Sequence, residues 1–232
     1  MKNSFQIPKF SGPLKSNRIL LCIIMLLIFR ETYSQSEVSI KMIDLQNQNL
    51  KASNREISYE TSGVKKYINL SFDKEVGLLW LPVEDFKNGT VRIVMRGRNE
   101  FQRSFIGIAF HGLNDSVYEA VYCRPFNFLS VDSVLRIRSI QYISHPLFTW
   151  QKLREEQSSV FEKEVINPPD PDDWFSMTLV IRDKIIKAYI NDNEIPSLTV
   201  GKLNDISSGK IGVFVADNSG GDFESIDIIY DK

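Results

Sequence analysis

From Val38 to Tyr230 the chain is a succession of short segments of alternating or wholly apolar residues, each closed by Gly, Pro, Asn or Asp. Lys65 to Phe72 sets Tyr67, Asn69 and Ser71 on one side and Ile68, Leu70 and Phe72 on the other, the period of a half-buried strand. Val76 to Leu81 is apolar on both faces, which predicts a central sandwich strand, and Pro82 ends it. Asn88-Gly89 supplies a tight turn. Thr90 to Arg96 then separates Val91, Ile93 and Met95 from Arg92 and Arg96. Further strands are expected at Val38–Ile43, Phe105–Phe110, Val117–Arg124, Arg136–Ile143, Val160–Ile166, Trp174–Arg182, Ile185–Asn191, Leu198–Val200, Lys210–Ala216 and Phe223–Tyr230, with Asn218 to Gly221 as the last turn. Thr149 to Gln157 is the one helical candidate: Thr149 can cap it, and Trp150, Leu153 and Arg154 share a face. Two turns do not hold in water alone, so this helix must dock on something. About eleven to thirteen strands without intervening helices of 10–15 residues predict an all-β antiparallel sandwich or barrel, not a βαβ fold.

Residues 1–34 read differently. Lys2, Lys9, Lys15 and Arg18 precede an apolar run from Ile19 to Phe29, and Thr32 and Ser34 follow. A basic start, a short apolar run and small residues at a cut point predict a secretory signal peptide. The run falls short of the ~20 residues that span a bilayer. The expected mature domain is residues 35–232, placed in the periplasm or outside the cell. The whole chain has 28 basic and 29 acidic residues. The leader holds five of the basic ones and one acidic, leaving 23 against 28, a net charge of −5. That balance argues against a nucleic-acid binder and against adhesion to an anionic membrane. Cys123 is the single cysteine after position 34, so no internal disulfide can form and stability must come from burial.

The densest cluster of rings, guanidinium groups and amides lies between Tyr118 and Arg154. In the strand at 117–124, alternation puts Tyr118, Ala120, Tyr122 and Arg124 on one face and Glu119, Val121 and Cys123 on the other. Pro125 stops the strand, and Phe126 and Phe128 flank Asn127 in a loop that would present its amide. Gln141, Tyr142, Trp150 and Arg154 would bring a second set of the same groups to the same end. Sugars offer flat C–H faces and rings of hydroxyls, so a saccharide site needs aromatic platforms beside planar hydrogen-bonding groups. Tyr118, Tyr122, Arg124, Asn127, Gln141, Tyr142, Trp150 and Arg154 are therefore the candidate ligand-binding residues. Each has an alternative reading, the tyrosines as core residues and Trp150 as the anchor of the docked helix. His145 has no second histidine near it, which disfavours zinc. Asp170, Asp172 and Asp173, or Asp217, Asn218 and Asp222, offer oxygens to calcium but lack the spacing of a dedicated loop. No cofactor is otherwise expected.

The tail from Trp174 runs WFSMTLVIRDKIIKAYINDNEIPSLTVGKLNDISSGKIGVFVADNSGGDFESIDI. Its order of a Trp-led strand, a strand ending Tyr-Ile-Asn, Pro-Ser-Leu, an Ile-Gly-Val-Phe strand and a Phe-led closing strand resembles concanavalin A-like lectin/glucanase domains. It is most similar to the laminin-G-like and bacterial family 16 glycosidase-like (3-keto-disaccharide hydrolase-like) sandwiches. Phe86-Lys87-Asn88-Gly89-Thr90-Val91 resembles a strand opening of the same group. The resemblance covers roughly residues 60–232. It implies a jelly roll of two curved sheets with a ligand on the concave one. Active family 16 enzymes carry Glu-x-Asp-x-x-Glu or Glu-x-Asp-x-Glu on one strand. Here Glu224-Ser225-Ile226-Asp227 has a different gap and Glu162-Lys163-Glu164 lacks the third acid.

The expected function is a secreted, lectin-like carbohydrate-binding domain without complete glycosidase machinery. The alternatives are a hydrolase of a glycoside or 3-keto-disaccharide, using Glu119, Glu162 or a loop aspartate, and an adhesion sandwich that binds another protein.

Overall fold

The computed structural model describes residues 36–231. The expected leader, residues 1–34, lies outside them. Alternation builds fourteen strands among the described residues. These are β1 (Ser36–Lys41), β2 (Ile57–Ser62), β3 (Lys65–Asp73), β4 (Gly77–Trp80), β5 (Gly89–Arg96), β6 (Ile106–Asn114) and β7 (Val117–Cys123). A short helix α1 (Ser133–Arg136) precedes β8 (Ile140–His145), and α2 (Trp150–Glu156) precedes β9 (Glu162–Lys163). The tail supplies β10 (Phe175–Arg182), β11 (Ile185–Ile190), β12 (Leu198–Gly201), β13 (Lys210–Val215) and β14 (Ser219–Tyr230).

All pairs are antiparallel. The larger sheet runs β12-β11-β10-β5-β14-β3-β2, and β1 adds to β14 beyond the point where β3 leaves it. The smaller sheet runs β4-β13-β6-β7-β8-β9. Their inner faces meet in one apolar core that includes Val91, Ile93 and Met95 from β5, Ile106 and Ile108 from β6, and Val213 and Val215 from β13. The result is a sandwich and not a closed barrel, the two-sheet jelly roll that the resemblance of the tail implies.

Several local expectations change. β4 is an edge strand, not a central one. It tolerates apolar residues on both faces because the Ser53 amide donates to the Leu78 carbonyl at 2.8 Å and covers its open side. The strand expected over 136–143 starts only at Ile140, because Asp132 caps α1 by accepting from the Val134 amide at 2.8 Å. The first strand ends at Lys41, and a 3-10 turn, Met42–Asn47, plugs the core with Met42 and Leu45. β2 was not evident in the sequence; four of its six residues are exposed. α2 forms where expected, with Thr149 as its cap and Leu153 buried.

One tie between loops comes from a residue in a stretch that reads as a polar loop. Arg55 is 7 % exposed. Its Nε donates to the Ser219 carbonyl at 2.9 Å, Nη1 to Asn54 at 2.5 Å and Lys74 at 2.9 Å, and Nη2 to Glu75 at 2.8 Å and Ala216 at 2.9 Å. The fork thus joins the β3–β4 and β13–β14 loops. Removing it takes a charged donor from five backbone carbonyls, and each such hydrogen bond is worth roughly 1.5–3 kcal/mol. Arg55→Met should therefore lower unfolding free energy by about 3 kcal/mol or more in urea titration, and Arg55→Lys should recover only part, because an ammonium cannot span the same fork.

Candidate functional site

Cross-strand register decides which side chains share a face. Glu162, Gln141 and Tyr122 are direct neighbours across β9, β8 and β7, and Gly107 and Phe214 continue the row through β6 and β13. His145 and Tyr118 form a parallel row. This is the outer face of the smaller sheet. Rings lie low on it because β6 is lined with small residues. A Cβ on Gly112 would stand 2.2 Å from the Trp80 ring, and one on Gly107 2.1 Å from the Val121 carbonyl oxygen. Phe214 packs against Tyr122 with centroids 5.2 Å apart, and Tyr118 stacks on His145 at 4.9 Å and 7°.

At one end of this face is a hollow of about 590 Å³, within the usual range for small-ligand sites. The sheet gives Tyr122, Arg124, Ile143, His145 and Phe214; α2 and its cap give Thr149, Trp150, Gln151 and Arg154; the loops give Phe101, Phe105, Phe126, Asn127, Arg138 and Asp217. Five of the eight candidate residues thus meet here: Tyr122, Arg124, Asn127, Trp150 and Arg154. The other three do not line it. Tyr118 sits on the right face but is covered, with His145 stacked on its ring and Trp80 edge-on. Gln141 is fully buried and holds the wall from behind. Tyr142, one residue on, points into the inter-sheet core, where its hydroxyl accepts from the Leu203 amide at 3.2 Å. Adjacent strand residues cannot share a face, so Gln141 and Tyr142 were never both available.

The wall is a polar network centred on Glu162, a residue of the shortest strand. Arg154 grips its carboxylate with two hydrogen bonds, Nε to Oε1 at 3.0 Å and Nη2 to Oε2 at 2.6 Å. Arg124 Nη1 stands 3.8 Å from Oε2 and Arg138 Nε 3.9 Å from Oε1. Arg124 donates to the Arg138 carbonyl at 2.8 Å, to the Tyr122 hydroxyl at 2.9 Å and to Gln141 Oε1, which also accepts from Tyr122 at 2.9 Å. Burial lowers the pKa of the Arg124 guanidinium, with Tyr122 and Glu162 acting the other way and Arg154 and Arg138 reinforcing it. Burial raises that of the Tyr122 hydroxyl, which stays a neutral donor. The Arg154 guanidinium lies 4.9 Å from the centroid of Trp150, which is 41 % exposed.

Two buried polar atoms of this region lack a partner among the described residues, Asn127 Oδ1 and Gln141 Nε2. Asp217 is the one carboxylate lining the hollow among the described residues. Glu119, considered above as an acid, lies wholly inside the sandwich, 3.5 Å from both His111 Nδ1 and Lys202 Nζ. Glu162 is engaged by Arg154. The pair of carboxyl groups about 5 Å apart that retaining hydrolysis needs is not assembled from these residues. The acidic loops hold protein donors: Asp172 Oδ1 accepts from the Asn99 amide at 2.7 Å, Asp222 Oδ2 from Arg96 at 2.7 Å and Asp217 Oδ1 from the Glu75 amide at 2.7 Å. Among the described residues no group of three or more His, Cys, Asp or Glu side chains is placed to hold a metal. Burial raises the pKa of the Cys123 thiol well above its ordinary value, which leaves it a small hydrophobe. No helix of the described residues is long and apolar enough to cross a membrane.

His145, against Tyr118 at the edge of the hollow, has its pKa lowered by burial. The unfolded chain therefore takes up a proton at higher pH than the folded one, so stability falls as pH drops below the ordinary imidazole value of about 6.5. Melting temperature should drop between pH 7.5 and 5.5, and His145→Gln should lessen that drop. Equal drops in the two proteins would remove this residue from the pH dependence.

No family profile matches the sequence, and no curated protein is similar to it. Solved structures are. A protein of unknown function with a galectin-like fold from Bacillus subtilis aligns over 84 % of this chain and 97 % of its own, with a TM-score of 0.54 at 12 % identity. A native glycosidic hydrolase aligns over 83 % and 95 %, with 0.51 at 10 %. The exoplasmic/lumenal domain of VIP36, in a Ca2+/Man3GlcNAc-bound form, aligns over 84 % and 88 %, with 0.50 at 13 %. Identities this low speak to architecture, and the architecture is that of the concanavalin A-like sandwiches.

Proposed function

We propose that the protein is an exported, lectin-like carbohydrate-binding domain that takes a sugar residue of a glycan in the hollow on its smaller sheet. The observation that carries this reading is the meeting of Trp150, half exposed, with Arg154, Arg138 and the unpartnered carbonyl of Asn127 around one hollow. A ring offers a platform to C–H groups, guanidinium groups donate to sugar oxygens, and an amide carbonyl accepts from a hydroxyl. The VIP36 domain, of the same fold, has been solved with Man3GlcNAc bound. Export rests on the charge and apolar pattern of residues 1–34. Calcium is not needed in this reading, since Asp217 and Asp222 already accept from protein donors.

A second reading, a sandwich that binds another protein, is favoured by exposed Leu129, Val131 and Leu147 on loops and Val134 on α1. It predicts a shift in size-exclusion volume with a protein partner and no glycan retention.

The test is affinity electrophoresis and a glycan array with residues 35–232. Trp150→Ala should weaken retention of the bound glycan about tenfold while melting temperature stays within about a degree, and EDTA should change neither. Tyr122→Ala should lower both, because the ring is 1 % exposed and its removal leaves a cavity costing about 3–5 kcal/mol. Retention that survives Trp150→Ala undiminished would place the glycan elsewhere.

A further inference from the structure

The composition of the wall says more about the ligand than that it is a sugar. Three guanidinium groups, those of Arg124, Arg138 and Arg154, line one hollow. The carboxylates of the site are Glu162, which is 3 % exposed and lies behind them, and Asp217 on the lining. Cations therefore outnumber anions at the site by three to two. This excess occurs in a domain whose residues 35–232 carry net charge −5, so the hollow runs against the sign of the rest of the surface.

The donors are also incompletely used. Arg154 applies Nε and Nη2 to Glu162, which leaves Nη1. Arg138 Nε, 3.9 Å from Glu162, is beyond hydrogen-bond reach, and its side chain is one-third exposed. Each guanidinium carries five donor hydrogens in a planar fork that matches a carboxylate. Beside them, Asn127 Oδ1 is buried without a donor among the described residues. A neutral sugar would satisfy that carbonyl with a hydroxyl but leave the excess cation uncompensated. A ligand with both a carboxylate and hydroxyls answers both.

We propose that the glycan taken by this hollow is acidic, with a uronic-acid carboxylate set against Arg138 and Arg154, a ring hydroxyl donating to Asn127 Oδ1, and Trp150 alongside the sugar ring. This rests on the carbohydrate reading above and narrows it. Loose adsorption of a polyanion is disfavoured by the −5 charge of the domain, so binding of this kind must come from a local site.

The experiment measures retention of residues 35–232 in gels containing polygalacturonate, alginate or hyaluronan, the carboxyl-reduced polygalacturonate, dextran sulfate, or neutral laminarin and inulin. The expected result is retention by at least one uronate polymer, lost on carboxyl reduction and weakened by salt. It should weaken about tenfold in Arg138→Gln, with Arg138→Lys restoring part. The Arg138 side chain is partly exposed and outside hydrogen-bond range of Glu162, so both variants should keep the wild-type melting temperature. Retention by neutral polymers alone would overturn the acidic ligand and leave the carbohydrate reading standing. Retention by none of the polymers would count against both. Retention by dextran sulfate equal to that by uronates and indifferent to Arg138→Gln would reveal general anion exchange and overturn the site. Should Arg138→Gln unfold, Asn127→Asp supplies the second variant: a new carboxylate at the lining should repel uronates more than neutral glycans, and equal effects on the two would overturn the proposal.

Discussion

A single buried carboxylate organises the wall of the hollow. Glu162 stands among Arg124, Arg138 and Arg154, and each of those comes from a different piece of chain: the end of β7, the turn before β8, and α2. An unpaired buried charge costs several kcal/mol, and so does an unpaired buried guanidinium. Glu162, Arg124 and Arg154 therefore hold one another in place, while Arg138, one-third exposed and 3.9 Å away, adds charge without a hydrogen bond. α2 is too short to be helical by itself. Its Leu153 is buried against the domain while Arg154 closes on Glu162, and together they fix where Trp150 stands.

The sheet beneath decides what that wall can face. Six strands present a largely aliphatic inner face and an outer face of rings over small residues. The row Glu162–Gln141–Tyr122 is the meeting of both demands. Tyr122 is an apolar body packed on Phe214 with a hydroxyl that joins Gln141 and Arg124. Such a residue is at once support and lining, and because its hydroxyl is already engaged by Gln141 and Arg124 it serves mainly as support. The ligand-facing role falls to groups farther from the sheet, Trp150, Arg138 and Asn127.

Inside the sandwich a second charged group obeys the same rule with different partners. Glu119 lies between His111 and Lys202, and Lys202 Nζ also donates to the Ile206 carbonyl at 2.5 Å and to His111 Nδ1 at 3.1 Å. His111 Nε2 donates to the Lys87 carbonyl at 2.8 Å. These ties join β6 and β7 to the segments after β12 and before β5. With Cys123 free and the one cysteine among the described residues, polar ties of this sort and the Arg55 fork supplement burial in fixing loops that the apolar core does not reach.

The sequence by itself determined most of the strands, the all-β antiparallel class, the capped helix at 149–157 and the two-faced nature of the 117–124 strand. These follow from propensity and from the alternation of side chains, which are properties of residues a few positions apart. It also marked out the region of the hollow, since rings and guanidinium groups are dense there. What only the tertiary structure decided is which of them meet. Gln141 and Tyr142 part to opposite faces, Tyr118 is covered by His145, and Arg138 joins although nothing in its neighbourhood singles it out. Glu162 becomes the hub because a two-residue strand pairs in register with Gln141, and Arg55 becomes a clamp because its fork reaches carbonyls more than 160 positions away. Register across strands and the reach of one long side chain depend on where distant segments settle, and no local pattern encodes that.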